Sequence, residues 1–392
     1  MNRVATALRG LETRLQATER PVALGPEGLL DGAALLQAAG QLATTLGPGG
    51  TWILATPDPF DFLAALLAVS ARGGRVLLPP NHLPATLLEL APGADGLVTG
   101  IPAGPSAPLG PLQEVELVFW TSGSGGGATA VPRRFSHLLE EVQVLEALFG
   151  PRLGDGPVLA TVPHHHIYGC LFRVLWPLMA GRPFATATGG DPESAPWGAP
   201  VLVSSPAHLS RALRLVELHA GMRHASVVFC SGGPLPRADA LAWGRWVAGG
   251  VVEVYGSTET GGIAWRIQDG AEGSDLWRPF PDVAVEAEPD GALRLHSPRV
   301  TGGTQRLEDG IQLNPDGRFR LTGRLDRVVK VEEKRVSLPE LEAALRAHPL
   351  VREAALTVLE GPRRALGAVV VVDTAPEAPA DRRALAQTLR GS

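Results

Sequence analysis

Residues 252–262 read Val-Glu-Val-Tyr-Gly-Ser-Thr-Glu-Thr-Gly-Gly, an apolar strand that breaks into a hydroxyl-rich turn carrying one carboxylate. Gly256 lets a backbone come close to a ligand, Ser257 and Thr258 offer hydroxyls to phosphate oxygens, and Glu259 is a hard oxygen ligand of the kind Mg²⁺ accepts. Tyr255 is positioned to lay its ring against a base. This combination suits a nucleotide site, and an ordinary turn with a solvated carboxylate is the competing reading.

Three further segments carry chemistry-bearing residues. Upstream, residues 117–127 run from an apolar strand through Trp120 into Thr121, Ser122, Gly123, Ser124 and three glycines, a small-residue loop whose backbone N–H groups can wrap a phosphate. No Gly-Lys-Ser/Thr closes it, so it is not a Walker loop. Residues 163–169, Pro-His-His-His-Ile-Tyr-Gly, cluster histidines between a strand and a helix. Three adjacent histidines do not face one metal from regular structure, which argues against zinc. Ser231, Gly232 and Gly233 again place small residues directly after a strand, and residues 323–330 alternate charge around a turn.

These segments need elements to hold them. Over the first 260 residues, helical patterns near 31–46 and 59–72 alternate with short apolar runs at 51–55, 75–79, 115–120, 157–162, 200–204, 226–230 and 251–255. Such alternation predicts βαβ units and mainly parallel sheet covered by helices. After about residue 263 the rhythm changes: Pro-Asp-Gly between 283–288 and 292–296, and Asn-Pro-Asp-Gly between 311–313 and 319–321, predict two antiparallel hairpins. A last segment carries a strand at 328–331, a helix at 338–347, an apolar strand near 366–373 and a loop at 376–379. The expected fold class is therefore α/β: a large N-terminal domain of mainly parallel sheets plus an antiparallel β region, followed by a short α+β C-terminal domain.

Bulk properties narrow the partners. The 392 residues, 45% hydrophobic, suffice for two or more lobes. Thirty-five basic against forty acidic residues leave a net charge of −5 with no long run of either sign, so neither nucleic acid nor an anionic membrane is indicated. Two cysteines, Cys170 and Cys230, exclude a disulfide framework, and the expected location is the cytoplasm. The uncharged stretch 32–57 is broken by glutamines, Pro48 and a glycine pair, and does not read as a membrane span.

In this order, the segments resemble the adenylate-forming superfamily of acyl- and aryl-CoA synthetases, peptide-synthetase adenylation domains and luciferases. The resemblance covers about residues 117–342, and nearest within it are small bacterial AMP-ligases of aryl-polyene or fatty-acid-type pathways. It implies a phosphate loop at Thr121, Ser122, Gly123 and Ser124, a histidine motif centred on His166, an adenine-side turn at 231–234 and the nucleotide motif at 255–259. Asp309, eight residues before Gly317, matches the ribose-gripping aspartate, and Arg324 matches a ribose- and phosphate-facing arginine. The domains implied are 1–325 and 327–392, with a hinge at Asp326 and the β-rich part at about 263–325. The reaction implied is ATP- and Mg²⁺-dependent conversion of a carboxylic acid to an acyl-adenylate, then transfer to the thiol of coenzyme A or of a carrier protein's phosphopantetheine. His166, Tyr168, Ser231 and Trp120 would border the acid, with His166, Thr258, Glu259 and Arg324 at the reacting groups.

The pattern also departs from the family. Where the loop normally ends in a lysine reaching the β/γ-phosphates this chain has Thr129, and its only lysines are Lys330 and Lys334. Arg133 offers charge nearby, although a planar fork is not an ammonium. Sixty-six residues follow Asp326, none after Lys334 is lysine, and Glu333 stands where the family places a glycine beside the path of the thiol arm. The expectation is an acid-activating enzyme with altered machinery; the alternative is a degenerate homologue that binds acyl or nucleotide ligands without efficient turnover.

Overall fold

A computed structural model describes residues 3–122, 128–187, 200–214, 225–331, 334–346, 348, 350–359 and 365–372. By internal contacts the chain divides into two compact units, Met1–Ala284 with Ser297–Gly303, and Val285–His296 with Thr304–Ser392.

The first unit holds two sheets. In the nine-stranded one, Val158–Ala160, Val201–Ser204, Val227–Cys230 and Val251–Ser257 run parallel and adjacent, all deeply buried where they pair. Continuous Val/Leu/Ala runs suit strands covered on both faces. Gly261–Ile267 then turns back antiparallel on Val251–Ser257, so the motif is the bend of a hairpin inside this sheet. The change from parallel alternation to antiparallel pairing expected near residue 263 thus begins at this hairpin.

The five-stranded sheet aligns Thr51–Leu54, Arg75–Leu78 and Glu116–Ser122 in parallel and ends on Ala128–Arg134, antiparallel to Glu116–Ser122. That last strand, not expected from the sequence, carries Pro132 and lies at the sheet edge, where a missing N–H costs no ladder bond. The helix Pro59–Ala71 is buried nearly all round. Asp58 caps it by accepting from Phe60 and Asp61 N–H groups, and Pro59 occupies its first turn. Among the described residues no helix is long and apolar enough to cross a membrane.

The second unit has a four-stranded antiparallel sheet of Ala284–Ala287, Ala292–His296, Thr304–Leu313 and Phe319–Arg324, matching both expected hairpins. Two further hairpins, Val328–Val331 with Lys334–Ser337 and Val351–Leu359 with Ala365–Val372, flank the helix Leu338–Arg346, an α+β arrangement. Asp326 sits in the 3₁₀ turn Leu325–Arg327, inside this unit. The expected loop at 376–379 lies outside the described residues.

Candidate active site

The first unit contains a cavity of about 180 Å³. One wall is the hairpin bend: Val254, Gly256, Ser257, Thr258, Gly261 and Gly262. Opposite it stand Ile167, Tyr168, Leu171 and Phe172, from the segment that follows the histidines. Ser231 and Gly232 close one side and Glu141 another. Three separate sequence signals, the Tyr-Gly-Ser-Thr-Glu turn, the histidine motif and the Ser-Gly-Gly turn, therefore meet around one space.

The bend is held by its own short bonds. Ser257 N–H donates to Thr260 Oγ1 at 3.1 Å and Thr260 N–H to Ser257 Oγ at 3.3 Å. Gly256 is required by packing within the hairpin, since a Cβ there would stand 2.3 Å from the Gly261 carbonyl oxygen. Ser231 Oγ donates to the Val254 carbonyl at 2.8 Å, tying the small-residue turn to the motif strand. Beneath it Glu253, buried, takes a fork from Arg266 at 3.0 and 2.9 Å and a bond from Gln268 at 2.7 Å.

Arg133 explains how the turn is fixed from below. Only 4% exposed, it donates through Nη1 to the carbonyls of Thr258 at 2.9 Å and Glu259 at 2.5 Å. Burial lowers its pKa, partly offset by Glu141. The Glu259 side chain is exposed and makes no hydrogen bond among the described residues, so a hard carboxylate oxygen is presented to solvent from an anchored backbone.

The histidines form a contact ladder. His164 bonds the Thr56 carbonyl through Nε2 at 2.9 Å, so that nitrogen carries its proton. The His165 ring lies 5.8 Å from His164, 4.7 Å from His82 and 4.6 Å from His166. Burial drives His164 and His165 down to about 3, with Arg173 and His166 respectively adding to it. His166 is lowered too, by burial and then His82, and does not line the cavity. Burial raises Tyr168 well above the ordinary phenol range.

After the histidines the chain enters a π-helix, Cys170–Leu175, a winding that often marks functional sites and here brings Leu171 and Phe172 to the cavity wall. Arg173 on it is buried, donates to the carbonyls of Val162 at 3.0 Å and Thr186 at 2.8 Å, and is pushed down to about 10 by desolvation.

Other expected site residues lie elsewhere. Trp120 packs on the core of the five-stranded sheet with Ile53, Ala55, Leu77 and Val118 and does not line the cavity. Tyr255 leans on Trp277 at 5.6 Å, and Trp277 in turn lies under the Arg266 guanidinium at 4.4 Å. Of the loop, Thr121 pairs with Thr129 and Ser122 with Ala128 across the hairpin. Gly123 and Ser124 lie outside the described residues, as does Glu333. Gly233 adjoins the cavity turn through Gly232. In the second unit Asp309 and Arg324 sit opposite each other on paired strands, 3.8 Å apart at Nη1 and Oδ2. Arg324 also grips Asp326 at 2.9 and 2.7 Å, which holds that carboxyl below its usual range.

Sequence reasoning missed Arg173 and Glu141. Glu141 had a signal: it lies among Leu138, Leu139, Val142 and Leu145 on the buried stripe of the helix Phe135–Phe149, where a carboxylate is out of place unless it has a task.

The Gly256–Thr258 bend and the segment from Ile167 to Phe172 enclose a mainly apolar cavity, and comparison with known proteins shows the family. Residues 102–302 match the model of the AMP-binding enzyme family. The 4-coumarate–CoA ligase of Rhodobacter capsulatus is 33% identical over 290 residues, 71% of this chain and 69% of that protein. The 4-coumarate–CoA ligase of Cereibacter sphaeroides is 31% identical over 277 residues, 69% of this chain and 62% of that protein. The chain thus spans about two thirds of the length of these relatives. In fold it is similar to the o-succinylbenzoate coenzyme A synthetase of Bacillus subtilis, solved with AMP, at a TM-score of 0.79 and 18% identity over 97% of this chain and 91% of that one. The chain belongs to the AMP-binding enzyme family, the adenylate-forming class that activates carboxylic acids with ATP.

Proposed function

We propose that the chain activates a small aryl carboxylic acid as its adenylate and passes the acyl group to a thiol, of coenzyme A or of a carrier protein. The observation that carries this reading is the cavity: about 180 Å³, with Tyr168, Leu171 and Phe172 on one side and the Gly256–Thr258 bend on the other. An apolar cavity of about 150 Å³ accepts a benzene ring, so the space suits one flat ring better than an extended chain.

In the proposed reaction a carboxylate oxygen of the acid attacks the α-phosphorus of ATP, a P–O bond forms, and pyrophosphate leaves with the electrons of the bond that breaks. Thr121, Ser122, Gly123 and Ser124 supply N–H and hydroxyl donors to the phosphates, with Ser257 and Thr258 facing them from the motif bend. Gly232, Gly233 and Tyr255 border the adenine, while Asp309 and Arg324 take the ribose hydroxyls. Glu259 would hold Mg²⁺, whose contribution when bound is to neutralise phosphate charge. Ser231 borders the acid's carboxylate, and His166, which immediately precedes the lining Ile167, stands behind that wall. Asp326 is the proposed hinge between a domain of residues 1–325 and the residues from 327 onward.

Thr129 in place of the loop lysine removes one preorganised cation, a contact worth about 10²–10³ in rate. Adenylation is accordingly slow beside that of relatives carrying the lysine. The test is ATP–pyrophosphate exchange with a panel of aryl, enoyl, medium-chain and short hydrophilic acids. Saturable exchange led by single-ring aryl acids is expected; exchange confined to short hydrophilic acids or amino acids overturns the reading.

A further inference from the structure

One buried group at the cavity has no task in the reaction just described. Glu141 is 4% exposed and lines the cavity. Its Oε1 accepts from the Gly262 N–H at 2.7 Å. Its Oε2 has no hydrogen bond. The nearest cation, Arg299 Nε, is 3.7 Å from Oε2, beyond hydrogen-bond reach, and the other arms of that guanidinium are engaged by Asp282 and by the Gly262 carbonyl at 3.0 Å. Glycine at 261 is what lets the bend sit against this oxygen, since a Cβ there would stand 2.5 Å from Oε2. A carboxylate oxygen left without a donor in an apolar cavity is costly unless a ligand supplies one.

We propose that Glu141 is a specificity-determining contact at the floor of the cavity, accepting a hydrogen bond from a donor on the ring of the bound acid, a phenolic hydroxyl or an arylamine at the end away from the carboxylate. The inference rests on the aryl-acid reading above. Depth sets the orientation: Gly256 and Ser257 are exposed and form the mouth, whereas Glu141 is at the buried end. Like charge does the same, because Glu141 repels the carboxylate of the acid and so keeps it at the mouth, where the motif bend and the α-phosphate are. Tyr168, Leu171 and Phe172 take the ring between the two ends. A site built around a charged acceptor penalises a ring that lacks the donor, by on the order of 10- to 100-fold. If Glu141 served only as a counter-ion to Arg299 and Arg133, no such preference would exist.

The experiment is calorimetric binding of benzoate, 4-hydroxybenzoate, 4-aminobenzoate and 4-fluorobenzoate, and of the same four rings as non-hydrolysable aryl-sulfamoyl adenosines, to the full chain and to Glu141→Gln. For the wild type the expected ranking is hydroxy and amino above unsubstituted, with fluoro, of hydroxyl size but without a donor, last. Glu141→Gln turns an amide N–H toward the ring, so the advantage of the amino ring, which offers only donors, is lost while affinity for the unsubstituted ring is kept. A flat ranking in the wild type overturns the inference, as does failure of all four rings to bind, and both outcomes are read without the variant. Parallel loss for every ring in Glu141→Gln assigns Glu141 a structural role and also overturns it. ATP binding and pyrophosphate exchange measured alongside separate the two claims: a donor-dependent ranking without ATP binding or exchange contradicts adenylation and leaves the Glu141 contact standing.

Discussion

Arg133 illustrates how far a residue's role can move between sequence and structure. By position it offers a substitute for the absent loop lysine, yet it is buried and its Nη1 holds the carbonyls of Thr258 and Glu259. It acts on the turn, and through the turn on whatever the turn binds. Replacing Arg133 with Met should therefore lower the affinities for ATP and AMP together, by about tenfold, the scale of one charge-assisted bond. A loss confined to ATP would instead mark contact with the β/γ-phosphates. Glu259 makes a separate prediction. Glu259→Gln keeps the shape of the side chain and removes the charge that favours Mg²⁺, so half-maximal exchange should require on the order of ten times more Mg²⁺ with an unchanged melting temperature. An unshifted Mg²⁺ dependence would reduce Glu259 to a surface residue.

At the scale of elements, the hairpin Val251–Ser257 with Gly261–Ile267 is the platform of the site, and its rigidity comes from the buried Glu253–Arg266–Gln268 network. Arg266→Leu strands Glu253 in the core and should cost about 3–5 kcal/mol, read from denaturant unfolding. The histidine ladder gives a pH signature. His164 and His165 titrate near 3 in the fold and near 6.5 when unfolded. Between those values the unfolded chain binds more protons, so their contribution to stability is full above about pH 6.5 and is lost as the pH falls toward 3. Unfolding at pH 5.5 should come at lower denaturant than at pH 7.5, and His164→Gln, which keeps a donor for Thr56, should narrow that difference; an equal difference in the variant would contradict the account. The strands of the parallel core were legible because buried runs of Val and Leu announce themselves. The strand Ala128–Arg134 was not, because Pro132 and two arginines break any alternation and only its edge position accommodates them. The π-helix left no periodic trace either, and the bonds of its buried Arg173 to the carbonyls of Val162 and Thr186 join segments that no local pattern links.

For the whole molecule, the order of motifs along the chain was enough to identify the family: the histidine, Ser-Gly-Gly and Tyr-Gly-Ser-Thr-Glu motifs each close a strand of the nine-stranded sheet, whose adjacent parallel strands convert chain order into proximity, while the small-residue loop closes a strand of the five-stranded sheet. The pairings across that space were not legible. Glu141 meets the Gly262 N–H from 121 residues away, and no local pattern announces such a partner. Likewise Trp120, apolar and next to the loop, reads as pocket lining until the fold turns it onto the other sheet's core. The proposed reaction is formation of an aryl-adenylate at the cavity between the motif bend and the Tyr168–Phe172 wall. Rapid-quench single turnover with ATP and 4-hydroxybenzoate, without thiol, tests it most directly by quantifying protein-bound acyl-AMP and pyrophosphate. The account predicts acyl-AMP and pyrophosphate in equal amounts, up to one per chain, forming on the order of 10²–10³ more slowly than in relatives with the loop lysine. Formation of ADP and phosphate, or no nucleotide product from any aryl acid, would contradict it.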